Sequence, residues 1–361
     1  MNINFFITSL GGGGAERVVC NLANYLTASQ HQVTISVLRG DDDTYSLEKN
    51  VSKQYLQLGY YKERKSRLYR LKEILTVVKF LKHLPKGTLL VSFLELPVAY
   101  SLILRRFYTQ KLIICERNNP LFYSKGYQRI FEKLAHKADG CVCQTKAIMD
   151  WYLPALDEKA KWAVIPNALS KDVLDSTPSP LNGHLIMSMG RLEPQKNQRM
   201  LIEAFAEIAS DFPEYELSIY GKGPLETELK KQIEDLGIEN KVHLPGFTND
   251  VVSAYRQSSM FVLASEHEGM PNVLAEAMAM GLPCISTDCG GGGARELIQD
   301  GINGLLIKRG DKEDLIKSMR YLLKDPGYAN HLRQQALKIR KQLTPETIHL
   351  KWMEFFEKVY K

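Results

Sequence analysis

Short apolar runs alternate with longer amphipathic stretches along nearly the whole chain, and they do so in two rounds. The first round holds INFFIT (3–8), QVTISVL (32–38), TLLVSFL (88–94), KLIICE (111–116), GCVCQT (140–145) and WAVIP (162–166). The second holds HLIMSMG (184–190), YELSIYG (215–221), KVHLPG (241–246), MFVLAS (260–265), PCIST (283–287) and GLLI (304–307). Runs with apolar centres suit strands buried on both faces, as in a parallel sheet covered by helices. Helical spacing marks 15–28 and 66–84, then 198–210, 224–236, 272–280, 312–324 and 328–341. This order predicts an α/β protein of two doubly wound, Rossmann-like domains. We expect domains at 1–169 and 184–344, with the polar, proline-bearing stretch 170–183 as linker. Thr344 and Pro345 are an N-cap and a first-turn proline, which predicts a last helix over 345–361.

With 361 residues, the chain exceeds what one core usually serves. Its six cysteines form no CxxC pair, which fits reduced thiols in a cytoplasmic protein better than a disulfide frame or zinc site. The start has no basic flank, so no secretory signal is expected. The longest apolar stretch, 88–104, carries Glu95 and Pro97 and reads as strand, break and helix, not as a membrane span. The net charge of +6 is unevenly spread. Residues 1–180 carry 25 Lys+Arg against 16 Asp+Glu, and the remainder 22 against 25. A basic first half suits phosphates or anionic lipid; nucleic acid is not expected as a partner.

Two glycine runs stand out, GGGGAER from Gly11 and GGGGARE from Gly290. The first follows the first strand and opens the first helix, at a sheet edge where ligands bind. Glycines there admit close approach of a ligand to the backbone, and helix N–H groups suit an anion. It is a poor dinucleotide fingerprint, because Glu16 stands where the third glycine belongs. A tight turn is the other reading. The second run follows a late strand, so it is no repeat of the first.

The strongest chemical signal is SEHEGMPNVLAEAMAMGLPCIST (265–287). Pro271 ends any helix through Glu268 and starts a new one, leaving Glu268 on a loop and Glu276 in the first turns. Two carboxylates can accept bonds from sugar hydroxyls, while helix N–H groups suit a phosphate. GRLEPQKN places Arg191 and Lys196 just past a strand, where two cations suit a diphosphate. Glu276 as mere dipole complement and Arg191 and Lys196 as plain surface cations are the competing readings. Gly221 and Gly223 in YGKGPLETEL, and LPGFTND (244–250), could shape a base pocket or simply form turns.

In this order the motifs resemble glycosyltransferase family 4, retaining enzymes of GT-B fold, over nearly the whole chain. The resemblance is carried by GGGGAERV, NAL after 162–166, GRLEPQKN, YGKGPLETEL, LPGFTND, EGMPNVLAE and GLPCISTDCGGGGARELI with GINGLLI. It implies that Arg191 and Lys196 hold the donor diphosphate, Glu276 the ribose and Glu268 the donor sugar. It also places Gly13, Gly14, Gly246, Gly269, Met270, Pro271 and Asn272 on the donor, Glu16, Arg117 and Asn118 on the acceptor side, and the last helix back on the first domain. Arg117 departs from the pattern, standing where a histidine is frequent. EGMPN resembles the branch that uses UDP-hexoses or UDP-N-acetylhexosamines. The implied reaction needs no cofactor and no metal; the acids 41–43 read as a solvated loop.

The expected activity is transfer of a hexose or N-acetylhexosamine from a UDP-sugar to a glycan, soluble or carried on polyprenyl diphosphate, in surface polysaccharide synthesis. A GDP-mannose-dependent mannosyltransferase and a sugar-nucleotide epimerase of the same architecture are the alternatives; the epimerase would need a histidine such as His243 or His267 in an acid–base set. Residues 62–86 hold nine Lys+Arg against Glu63 and Glu73, interleaved with Leu68, Leu71, Ile74, Leu75, Val78 and Leu81. This predicts either an amphipathic helix with a solvated basic face or a surface for anionic membrane, flanked by Tyr60, Tyr61 and Tyr69. Arg105 and Arg106 could extend it, giving a cytoplasmic protein peripheral on the inner face of the membrane.

Overall fold

The computed structural model describes residues 1–11, 13–40, 44–56, 67–181 and 183–361. The acidic triplet 41–43, Gly12, residues 62–66 of the basic cluster and the flanking Tyr60 and Tyr61 lie outside them. The chain divides into two compact units, Met1–Asn167 with Glu346–Lys361, and Ala168–Pro345.

The first unit is a seven-stranded parallel sheet: β1 (Asn2–Ile7), β2 (Gln32–Val37), β3 (Ser52–Tyr55), β4 (Thr88–Phe93), β5 (Lys111–Glu116), β6 (Gly140–Cys143) and β7 (Lys161–Val164). Their order is β3-β2-β1-β4-β5-β6-β7, so the winding reverses between β1 and β4. All six strands expected here form. The seventh, β3, has no apolar run because it is an edge strand whose SKQY side chains are mostly exposed. The helix α1 (Gly14–Ala28) covers one face with Val19, Leu22, Ala23 and Leu26 buried. The C-terminal helix Pro345–Tyr360 belongs to this unit, with Trp352, Phe355 and Phe356 buried. Trp352 sits 6.0 Å from Phe93 and Phe356 6.4 Å from Phe5, ring to ring.

The helix α2 (Arg67–Lys82) corrects the expected face. Glu73, Val77, Phe80, Leu81 and Leu84 turn inward, with Phe80 5.1 Å from Phe6. Glu73 is buried because Arg39 grips it with two hydrogen bonds of 2.6 Å and the Tyr100 hydroxyl donates a third. Leu68, Leu71 and Leu75 instead remain 79%, 55% and 59% exposed.

The second unit is a six-stranded parallel sheet: β8 (Leu185–Met189), β9 (Glu216–Tyr220), β10 (Val242–Gly246), β11 (Met260–Leu263), β12 (Cys284–Asp288) and β13 (Leu305–Lys308). The order is β10-β9-β8-β11-β12-β13, and the winding reverses between β8 and β11. The stretch 170–183 is not a free linker. It carries a short helix, Lys171–Asp175, and is fastened to this unit. Arg340 donates to the carbonyls of Val173, Leu174, Ser176 and Ala279, and Arg333 donates to that of Ser179. The Ser179 hydroxyl donates 2.9 Å to the Ser258 carbonyl. Its main-chain carbonyls are thus bonded to this unit, while Lys171, Asp172, Asp175 and Thr177 remain exposed. All six cysteines are buried and none forms a disulfide, and among the described residues no helix is long and apolar enough to cross a membrane.

Candidate functional site

Open parallel sheets bind ligands beyond the carboxyl ends of their strands, where the winding reverses. In the second sheet that point lies after β8 and β11, and the loops leaving them interlock. The 190–197 loop contains a short 3₁₀ turn, Pro194–Lys196, closed by Asn197 in the left-handed region at φ 48°. Asn197 donates 2.7 Å to Glu266, the Gln195 side chain donates 2.8 Å to the His267 carbonyl, and the Glu266 N–H returns a 2.8 Å bond to the Gln195 carbonyl. These bonds deliver Lys196 to Glu268: Nζ to Oε1 is 2.6 Å, with the two side chains only 16% and 9% exposed. The Ser265 hydroxyl donates 2.7 Å to the same oxygen. Lys196 and Glu268, 72 residues apart in sequence, thus form one ionic centre. Gln195, Asn197 and Ser265, which position it, were not singled out from the sequence.

Gly269, Met270 and Pro271 are buried and lead into the helix Asn272–Ala279, capped at Pro271. Glu276 is 4% exposed and accepts a 3.4 Å bond from Tyr255, whose hydroxyl also donates 3.1 Å to the Val273 carbonyl. Arg191 is different: it is 71% exposed and pairs with Glu193 at 3.2 Å, so it is free to swing to a ligand at little cost. Gly246 closes β10 and its carbonyl accepts a 2.9 Å bond from the Gly221 N–H, joining two loops on this edge.

The second glycine run has a structural cause. Gly291 and Gly292 adopt φ of 100° and 70°, and a Cβ on Gly293 would stand 1.7 Å from the Gly269 carbonyl oxygen. The glycines let this turn press against the loop that carries Glu268, whose N–H donates 3.1 Å to the Gly290 carbonyl. The run therefore supports the site instead of forming a separate backbone cradle.

In the first unit, Gly13 is the extended N-cap of α1 and Gly14 its first residue. A Cβ on Gly13 would fall 2.3 Å from the Glu16 carboxylate, which folds back over it. Across the reversal, Leu94 follows β4 with φ 70° and ψ 168°, a strained backbone for a branched residue. It sits beside the loop that the glycines open, and nothing in its composition announces it.

Arg117 does not lie on an open surface. It is 5% exposed, held 5.4 Å from the Phe93 ring and 5.3 Å from that of Trp352, and donates to the Ile165 carbonyl and to Asn167. Burial pulls its pKa down to about 10. Aromatic stacking draws the guanidinium inward, and the exposed neighbour is Asn118. Glu116, on the opposite face of the sheet, is wholly buried and accepts bonds from Tyr123 at 2.8 Å and from Tyr127. Burial raises its pKa to about 7 against the pull of those hydroxyls.

The two histidines weighed for an acid–base set are placed differently. His243 pairs with Glu216 at 3.0 Å, exposed on neighbouring strands. His267 faces Glu268, with burial depressing its pKa. Among the described residues no three acidic, histidine or cysteine side chains gather as metal ligands.

Comparison with known proteins gives the chain a consistent setting. Residues 12–172 match the profile of "Glycosyltransferase Family 4", and residues 171–339 that of "Glycosyl transferases group 1". Two Campylobacter jejuni proteins are similar along most of their length. One is GalNAc-alpha-(1->4)-GalNAc-alpha-(1->3)-diNAcBac-PP-undecaprenol alpha-1,4-N-acetyl-D-galactosaminyltransferase, 27% identical, with 99% of each chain covered. The other is N-acetylgalactosamine-N,N'-diacetylbacillosaminyl-diphospho-undecaprenol 4-alpha-N-acetylgalactosaminyltransferase, 28% identical, covering 92% of this chain and 94% of that one. Among solved structures, Anabaena HepE in complex with UDP and glucose superposes with a TM-score of 0.82 at 22% identity, over 99% of both chains.

Proposed function

We propose that this chain, which belongs to the family 4 glycosyltransferases of GT-B fold and serves bacterial surface-glycan synthesis, transfers a hexose or N-acetylhexosamine from a UDP-sugar with retention. The acceptor is a glycan built on polyprenyl diphosphate. The observation that carries this reading is the Lys196–Glu268 centre, buried at the winding reversal of the second sheet. Such a pair presents a cation to a diphosphate and a carboxylate to sugar hydroxyls within one hydrogen-bonded unit. Arg191, exposed and paired only at the surface, adds the second cation, and Glu276 in the second turn of its helix accepts from the ribose hydroxyls.

In the reaction the bond from the anomeric carbon to the diphosphate oxygen breaks, and a bond to an acceptor hydroxyl oxygen forms on the same face. The departing diphosphate takes the hydroxyl proton, so no side chain need act as base. Lys196 and Arg191 stabilise the charge that develops on the leaving group. The two C. jejuni relatives, named for α-linkages on undecaprenyl diphosphate, support the lipid-linked acceptor and the α-product.

A membrane surface fits the same reading. Leu68, Leu71 and Leu75 of α2 face solvent beside exposed Arg70, Lys72, Lys79 and Lys82. Glu73, the acid within that run, is consumed by Arg39 in the interior, so the exposed face is more basic than the sequence suggests. Such a stripe would sit among anionic headgroups with its leucines in the acyl boundary.

The assay is incubation with UDP-sugars and a polyprenyl-diphosphate-linked glycan, with proton NMR of the product. An α anomeric signal is expected; a β signal, or turnover only with GDP-sugars, would refute the proposal. Consumption of UDP-sugar without acceptor would identify an epimerase instead.

A further inference from the structure

Parallel sheets are normally covered by helices on both faces, yet among the described residues the outer strands of the first sheet are covered on one face only. On the α2 side, β2 and β3 border an open pocket of about 960 Å³ that no part of the donor chemistry uses. Its floor comes from one face of four strands, β1 to β4: Asn4 registers with Thr34 and Thr34 with Ser52, while Asn2 registers with Thr88 and with Gln32. All six line the pocket, as does Gln54. One wall is α2 with the turn after it, bringing Thr76, Lys79, Phe80 and His83; Tyr55 stands at the edge.

Three lining side chains carry buried polar atoms without a partner: Asn4 Oδ1, Thr27 Oγ1 and Thr88 Oγ1. Asn4 is 4% and Thr88 2% exposed. These atoms lie beneath the surface of the floor, and the exposed amides and hydroxyls of Gln32, Asn50, Ser52 and Gln54 face the opening above them. Such groups bind water or the hydroxyls of a ligand equally well.

The lining selects the class of ligand. It is made mainly of amides and hydroxyls, which both donate and accept, with Tyr55 and Phe80 as apolar faces; no Asp or Glu among the described residues belongs to it. The pocket lies toward the amino ends of the strands, where α1 and α2 terminate: Thr27, Gln30, Lys79 and His83 all line it. Helix C-termini present carbonyl oxygens and partial negative charge, which suits a hydroxyl donor, and Lys79, His31 and His83 stand around them. We propose that this pocket is a second, non-catalytic saccharide site, taking a neutral segment of about two or three sugar units in a groove of this volume.

The test is saturation-transfer and amide-shift NMR with neutral trisaccharides of glucose, galactose, N-acetylglucosamine and N-acetylgalactosamine. At least one should bind wild-type protein with Kd of about 1 mM or tighter, shifting the amides of Thr34, Ser52 and Gln54. Saturating UDP should leave that binding intact. Ser52→Trp, which fills the groove from the exposed edge strand, and Asn4→Leu should each weaken it at least about tenfold. No saturable transfer from any of the four sugars, shifts confined to the second unit, or displacement by UDP would overturn the assignment. The shift map of the wild type decides the matter even where a variant fails to fold.

Discussion

Replacing Lys196 by methionine removes one half of the ionic centre and leaves the carboxylate of Glu268 almost fully buried. The Coulomb attraction of two unit charges 2.6 Å apart is about 6 kcal/mol at an effective dielectric near 20. Desolvation offsets much of it, so the two limits come from measured analogues: about 3–5 kcal/mol for breaking a buried pair and under about 1 kcal/mol for an exposed one. With side chains 16% and 9% exposed, the loss should lie near the lower end of the buried range, about 3 kcal/mol. For a unit of this size that lowers Tm by about 6–12 °C. Glu268→Gln should cost less, since the amide keeps the Ser265 hydroxyl bonded. Lys196→Met with Glu268→Gln should recover much of the loss, because neither charge is then stranded. Calorimetry of the three variants gives the coupling energy as a double-mutant cycle. UDP should raise the Tm of wild type far more than that of Lys196→Met, since the same ammonium meets the diphosphate. Single variants within about 0.5 kcal/mol of wild type, or strictly additive costs, would show that the pair is an ordinary surface contact and that the reasoning from burial fails.

Three further outcomes test other parts of the molecule. Arg191→Ala should lose about 2–4 kcal/mol of transition-state stabilisation in kcat/KM with little change in Tm, and activity should survive EDTA; a strict Mg²⁺ or Mn²⁺ requirement in the chemical step would contradict the assignment of the diphosphate to protein cations. Glu116 has a folded pKa of about 7, above its unfolded value of 4.5, so the folded state holds the extra proton. Its contribution is fully favourable below pH 4.5 and is lost as pH rises to about 7, amounting to about 3 kcal/mol over that window. Glu116→Gln should flatten this fall and stabilise the protein above that window, as seen in denaturation at several pH values; equal pH slopes for the two proteins would refute it. Wild-type protein should sediment with anionic but not neutral liposomes, more weakly in high salt. Arg70, Lys72 and Lys79 changed to Glu should abolish this, and unaltered binding would show α2 to be only a solvated face.

The repeat of apolar runs and helices was enough to read two parallel sheets, because strands buried on both faces have no other simple sequence pattern. It missed only the edge strand β3, and it did not show which of the strands it found is buried on one face alone. QVTISV alternates, sending Val33, Ile35 and Val37 inward and Gln32 and Thr34 to the open face, and SKQY has no apolar centre because β3 is an edge. Those two departures together mark the uncovered face that forms the pocket. Helix α2 misled for a related reason. Its leucines at 68, 71 and 75 have helical spacing, but the interior had already taken the neighbouring stripe through Val77 and Leu81. The pivot is Glu73, whose burial depends on Arg39 and Tyr100, partners 34 and 27 residues away. Spacing within one helix carries no trace of such partners.

The glycines set the limit on reading a site. A positive φ, a backbone contact too close for Cβ and a ligand resting on the main chain all demand the same thing, an absent side chain. GGGGARE and GGGGAER are therefore alike as letters while their causes differ. In the second run the reasons are backbone conformation at Gly291 and Gly292 and the Gly269 carbonyl against Gly293. In the first, Gly13 leaves room for the Glu16 carboxylate and accepts bonds from the Arg17 N–H and the Tyr45 hydroxyl. A substitution distinguishes the causes. Gly293→Ala must move the loop bearing Glu268, because the clash is with backbone that cannot rotate away; it should lower stability and UDP affinity together. Gly13→Ala clashes with the carboxylate at the end of a flexible side chain, which can move aside, so stability should change little while turnover falls, because Glu16 is displaced over the helix N-terminus. Differential scanning calorimetry beside UDP titration reads both. Equal behaviour of the two variants would mean that the runs share one cause after all.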